Sequence, residues 1–207
     1  MKIEKITSGI LDVNTYIIIN EDKSECVIID GGEDFSLIIN KAKELNVKIV
    51  ALLLSHAHFD HAGNAAEFQK AGVPIYIGEK DAEKLKNGET LSSDFGRPFN
   101  TLSPDFTVKD GDVLNLAGLN IKVIETAGHT DGSVTYAIDN CLFSGDTLFF
   151  GSFGRTDFPT GSFSEMKKSL KKLFAMGDGF IVFPGHGENT TVKFERINNQ
   201  INFYDQN

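Results

Sequence analysis

A chain of 207 residues, 41% hydrophobic and 24% charged, is long enough to bury one sizeable core and reads as a single globular domain over 1–207, not a disordered chain. Its formal net charge of −9 excludes a nucleic-acid backbone as the main partner, because no basic excess is present to displace counterions. No apolar run nears the ~18 residues of a transmembrane helix, and the opening MKIEKITSGILDVNTYIIIN reads as a first strand, not a secretory leader.

In chain order, NTYIIIN (14–20) and ECVIID (25–30) are short apolar runs across a polar turn, the signal of a hairpin. Helical spacing in DFSLIINKAKEL (34–45) predicts a helix, and the continuous run KIVALLLS (48–55) predicts a strand buried on both faces. A helix over AAEFQKAG closed by Gly72, a strand PIYIG (74–78) and a charged helix KDAEKLKN follow. Residues 88–105, rich in Gly, Ser, Pro and Asn, predict a long loop of the kind that covers a site.

The second half opens with turn-punctuated strands: FTVKDG, DVLNLAG, LNIKVIET, SVTYAID and NCLFSGD. SFSEMKKSLKKLFAMG predicts an amphipathic helix starting at Ser162 or Ser164 and stopped by Gly177. GFIVFPG reads as a last buried strand and TTVKFERINNQI as a final helix. Strands then helices, twice over, predict two facing sheets with helices on both outer faces. Cys26 and Cys141 each lie in a strand-like run and are expected to be reduced core thiols, which fits a cytoplasmic protein.

All five histidines directly follow buried strand-like runs. His56, His58 and His61 follow KIVALLLS, His129 follows LNIKVIETAG, His186 follows GFIVFPG, and Asp146 follows NCLFSG. Loops at one sheet edge are where a rigid scaffold presents chemistry. A histidine alone is more often structural, but imidazole and carboxylate together suit divalent zinc, iron or manganese. In an extended segment residues two apart point the same way, so His56 and His58 can grip one ion. Asp60 and His61, entering the next helix, are free to face a second. His129 can complete the first site, His186 the second, and Asp146 can bridge them.

The run Ser55-His56-Ala57-His58-Phe59-Asp60-His61 resembles the signature loop of the metallo-beta-lactamase superfamily, and the resemblance spans nearly the whole chain. FSGDTLFFGSFGRTDFPTG (143–161) and VFPGHGENTT (182–191) resemble the compact bacterial type II glyoxalases, the hydroxyacylglutathione hydrolases. The resemblance implies a four-layer αββα sandwich of mixed α/β class. It implies one metal on His56, His58 and His129, another on Asp60, His61 and His186, and Asp146 bridging. Two zinc ions are expected, with iron or manganese as alternatives.

The implied reaction is hydrolysis of a small-molecule thioester of the S-lactoylglutathione type by a water activated between the ions. Asp60 and Asp146 are its catalytic carboxylates. Asp30, at the end of ECVIIDGG, matches a family position that supports the loops without binding metal. Arg155 and Asp157 match a family loop and are expected to pair. The chain ends soon after His186, so the C-terminal helical region with which longer glyoxalases grip glutathione is expected to be lacking.

Lys193 and Arg196 are expected on a solvated helix face, and Phe149, Phe150, Phe153 and Phe158 in core packing. The strongest rival is a persulfide dioxygenase of the same superfamily, which shares the GRTDF stretch and holds one iron on residues matching His56, His129 and Asp146. Thr-Leu-Phe-Phe after Asp146 and the proline of DFPTG favour the glyoxalase. A lactone or β-lactam hydrolase ranks lower, since lactamases typically place Cys or Ser at the bridging position.

Overall fold

Left-handed residues divide the N-terminal apolar stretch of the computed structural model, which describes residues 1–204. The first strand expected across it is two antiparallel strands, β1 (Lys2–Ser8) and β2 (Val13–Ile19). The turn between them contains Gly9 at φ +80° and Asp12 at φ +53°. The expected hairpin joins β2 to β3 (Glu25–Ile29). Helix α1 (Phe35–Glu44) begins where the Asp34 carboxylate accepts the Leu37 N–H at 2.9 Å.

Strand β4 (Lys48–Leu54) runs parallel to β3, and the chain then forms the short helices α2 (Phe59–Ala62) and α3 (Ala65–Lys70). Strand β5 (Ile75–Gly78), helix α4 (Glu79–Asn87) and the irregular segment 88–105 follow. FTV, expected to open the second half, instead forms β6 (Phe106–Val108) and closes the first sheet parallel to β5. Asp105 accounts for this placement: its carboxylate accepts the Ile75 N–H at 2.9 Å, tying the returning chain to the start of β5. The first sheet therefore runs β1-β2-β3-β4-β5-β6.

The second half supplies β7 (Val113–Leu116), β8 (Leu119–Glu125), β9 (Val134–Ile138) and β10 (Cys141–Gly145). A small hairpin of β11 (Leu148–Phe149) and β12 (Ser152–Phe153), which the sequence did not announce, stands apart from both sheets. Helix α5 (Phe163–Phe174) is capped by Ser162, not Ser164, through the Glu165 N–H. Strand β13 (Ile181–Pro184) pairs parallel with β10. Thr190 and Thr191, expected in the final helix, form β14 (Thr190–Thr191). Helix α6 (Val192–Asn198) starts after the Thr191 hydroxyl cap, and a 3₁₀ turn spans Gln200–Phe203. The second sheet runs β14-β13-β10-β9-β8-β7.

The alternation along β4 shows how four layers form. Leu52 and Leu54 join Phe68 and Leu85 beneath the helices on the first sheet's outer face. Ala51 and Leu53 point the other way, to Ile121, Val123 and Tyr136 of the second sheet. A third cluster seats α5 on the second sheet through Met166, Leu170 and Leu173. The expected αββα sandwich is the observed architecture. Cys26 and Cys141 are buried free thiols within it, and burial pushes Cys26 up to about 12. Among the described residues no helix is long and apolar enough to cross a membrane.

Leu53 is fully buried between the sheets, where neighbours cannot collapse without moving both. Leu53→Ala is expected to lower unfolding stability by about 2–5 kcal/mol, measured by urea denaturation.

Candidate metal centre

Strand β4 ends because a side chain takes over its ladder. The Asp30 carboxylate accepts the Ser55 N–H at 2.7 Å and the Ser55 hydroxyl at 2.9 Å. The chain then bends at His56, and His58, in extended conformation (φ −65°, ψ 148°), leads into α2, whose first turn holds Asp60 and His61. From the second sheet, His129 follows β8, Asp146 follows β10 and His186 follows β13. The strand-end positions read from sequence thus converge on one edge shared by both sheets.

The seven expected side chains form three overlapping groups, each with donor atoms within 4.8 Å of one another: His56, His58 and His129; Asp60, His61 and His186; and His56, His61 and Asp146. Asp146 stands between the first two groups. Its oxygens lie 3.2 Å from His61 Nε2, 3.4 Å from His129 Nε2 and 3.5 Å from His186 Nε2. Asp60 lies 3.2 Å from His186 Nε2.

The far nitrogens of the imidazoles are held from behind. His61 Nδ1 donates to Asp30 at 2.8 Å, His129 Nδ1 to the Arg155 carbonyl at 2.8 Å, and His186 Nδ1 to the Leu11 carbonyl at 2.9 Å. The Ser55 hydroxyl donates to Asp30, so it accepts from His56 Nδ1 at 3.0 Å. Each bond fixes a ring and turns its Nε2 toward the centre. Asp30 joins none of the three donor groups and supports them from behind, as the sequence led one to expect.

The two carboxylates of the centre are ionised and pair with charged imidazoles. Burial alone would raise the carboxyl of Asp146, but His61 and then His186 outweigh it and hold it well below the usual carboxylate range. Asp60 is likewise lowered against the effect of burial, chiefly by His61. Burial pushes His58 down to about 3, helped by His129, and His56 well below its ordinary value. Burial also opposes the charge of His186, yet hydrogen bonds to Asp146 and Asp60 pull it up to about 10.

The residues fit a metal pair on three counts. The donors are imidazole nitrogens and carboxylate oxygens, the set that suits zinc, iron and manganese. His56 Nε2 and Asp146 Oδ1 are buried without a hydrogen-bond partner, which a folded chain rarely tolerates in groups with no other use. His61 Nε2 and His186 Nε2 face one another at 3.4 Å, with the Nδ1 of each ring engaged by an acceptor behind it. Close packing enforces this arrangement at Gly185, where a Cβ would overlap Asp146 and His61.

The centre forms the floor of a groove of about 440 Å³ with apolar walls: Leu11, Phe59, Leu91, Phe95, Phe149 and Phe158. Leu91 and Phe95 come from the 88–105 loop, so that segment does flank the site. Of the four phenylalanines assigned to core packing, Phe149 and Phe158 line the groove instead. Phe153 packs on the α5 cluster as expected, whereas Phe150 is exposed and stacks on Phe194 at the surface. Arg155 and Asp157 pair through two bonds of 2.7 and 2.6 Å, with the guanidinium 3.9 Å over the Phe158 ring. That pairing lowers Asp157 to about 2. Lys193 and Arg196 are exposed, outside the groove lining, and Arg196 pairs with Asp178.

Two positions escaped the sequence reading. Asn14 donates to the Pro184 and Gly187 carbonyls at 3.0 Å each, and its N–H reaches the Gly185 carbonyl at 2.7 Å, locking the His186 loop to the first sheet. Leu11 contributes a backbone carbonyl, which any residue could supply, so no side-chain signal marks it.

Known proteins resemble this chain over most of its length. The family model of the metallo-beta-lactamase superfamily matches residues 8–186. Hydroxyacylglutathione hydrolase GloC of Haemophilus influenzae is 34% identical over 206 residues, covering 96% of this chain and 97% of the relative. The crystal structure of BLEG-1 B3 metallo-beta-lactamase superposes with a TM-score of 0.89 at 34% identity, covering 97% of this chain and 99% of that one. TTHA1623, solved in a di-iron-bound form, gives 0.86 at 29% identity, with 96% and 99% covered.

Proposed function

This chain belongs to the metallo-beta-lactamase superfamily, and we propose that it is a binuclear metal-dependent hydrolase of thioesters of the S-lactoylglutathione type. The observation that carries the reading is the pair of three-donor groups with Asp146 between them, on the floor of an apolar groove. His56, His58 and His129 would hold one ion, and Asp60, His61 and His186 the other, with Asp146 shared. Zinc is the first choice, and the di-iron form of TTHA1623 supports iron as the alternative.

When bound, two divalent ions would lower the pKa of a water and stabilise negative charge developing on a carbonyl oxygen. The chain's own residues supply the rest. Asp60 lies in the groove lining as an ionised carboxylate, placed to orient the attacking water by accepting its hydrogen bond. Phe59, Phe95, Phe149 and Phe158 exclude bulk water from the scissile bond. A thiolate leaves without protonation, so the reaction needs no general acid. This suits a centre whose five histidines are all engaged by donors or supports.

The likeness to GloC supports the thioester. The likeness to BLEG-1 supports lactam hydrolysis as the second reading. A single iron on His56, His129 and Asp146 is the dioxygenase arrangement, and metal content separates it from a filled pair. One sample decides among these: elemental analysis of metal per chain, with S-lactoylglutathione, a chromogenic β-lactam and a thiol persulfide assayed in parallel. About two ions per chain and turnover of the thioester well above the lactam is the expected result. Near one iron per chain with oxygen uptake on the persulfide would sink the proposal, as would preference for the lactam.

A further inference from the structure

Asp81, in the first turn of α4, belongs to none of the donor groups and is fully buried. Its Oδ2 accepts two hydrogen bonds from different layers of the molecule. One is the backbone N–H of Ala57, at 2.8 Å, which lies between His56 and His58. The other is the hydroxyl of Thr130, at 2.9 Å, next to His129. Oδ1 takes Lys84 Nζ at 2.5 Å, and Lys84 also pairs with Asp131 in the same turn as Thr130.

Thus one carboxylate joins the loop after β4 in the first sheet to the turn after β8 in the second. The turn reaches Asp81 so closely that residue 132 must be glycine: a Cβ there would overlap the Asp81 carboxylate and backbone. Burying a carboxylate is unfavourable unless its bonds are made, and a helix gains nothing from directing those bonds away from itself. Here they go to the two backbone segments that present the first donor triad, where His58 Nδ1 and His129 Nε2 stand 2.9 Å apart. The second triad has other supports, namely Asp30, Asn14 and the Leu11 carbonyl.

We infer that Asp81 is a positioning residue that sets the separation of His56 and His58 from His129, and so tunes the affinity of the first metal position without touching the second. The inference rests on the reading of those histidines as ligands. Metal-supporting partners behind the ligands typically change affinity about 10–100-fold when removed.

The test measures zinc affinity by chelator competition on the full chain. In a His186→Ala background, which leaves the first triad whole, Asp81→Asn, Asp81→Ala and Thr130→Val are each expected to weaken zinc about 10–100-fold. Thr130→Ser keeps the hydroxyl and is expected to stay within about threefold of the parent. In a His58→Ala background, which leaves the second triad whole, the same changes are expected to alter zinc affinity by less than about threefold. Equal weakening in both backgrounds would mean a general structural brace, and no weakening in either would mean no positioning role; both overturn the inference. Should Asp81→Ala not fold, Thr130→Val, which replaces one hydroxyl by a methyl, carries the comparison. Failure of the unsubstituted chain to bind zinc, iron or manganese would instead overturn the ligand reading and this inference with it.

Discussion

Asp146→Ala is expected to reduce thioester turnover by about 10³-fold or more and to lower bound metal from about two ions per chain to about one or fewer. The carboxylate lies between both triads, within 3.2–3.5 Å of a nitrogen from each. Removing it takes an anion from between two cations and leaves His61 and His186 confronting each other with less negative charge to hold them. A loss of about 4 kcal/mol in transition-state stabilisation corresponds to the stated factor. Stopped-time assays with metal quantitation on the same preparation provide the check. Turnover within tenfold of the parent would show that Asp146 does not serve both ions.

Asp30→Ala is expected to cost about 2–4 kcal/mol of stability in the metal-free protein, measured by denaturant titration. Three donors lose their acceptor at once: the Ser55 N–H, the Ser55 hydroxyl and His61 Nδ1, all buried. Asp30 also sits at φ +59°, a conformation that Asn adopts more readily than Ala. Asp30→Asn, which keeps one oxygen and the backbone preference, is therefore expected to lose less than half as much. Equal losses for the two variants would place the cost in charge and not in the hydrogen bonds or the backbone.

The candidate donors were legible in the sequence because each is a side chain with few other uses, set at the end of an apolar run. Periodicity located the runs, and residue type did the rest. What supports them was mostly illegible. Leu11 acts through its carbonyl, and Arg155 through a carbonyl as well as its guanidinium. Asp81 reads as one charge in a charged helix, and no pattern in that helix announces that the turn at 130–132 closes over it. The placement of β6 failed for a related reason: its partner is fixed by Asp105, a loop carboxylate, and not by any pattern in the strand itself. Phe149 and Phe158 were assigned to packing because composition gives no way to tell a core wall from a groove wall.

The centre draws His56, His58, Asp60 and His61 from the first sheet and His129, Asp146 and His186 from the second. Any ion held by both sets is therefore a cross-link between the two halves of the sandwich. Sliding one sheet over the other must open the donor sets, so occupancy and sheet registry are thermodynamically linked. At a free ion concentration about a thousandfold above the dissociation constant, that linkage contributes about 4 kcal/mol against unfolding. On the proposed reading the donor set doubles as a rivet, and metal starvation would loosen the whole sandwich as well as silence the groove.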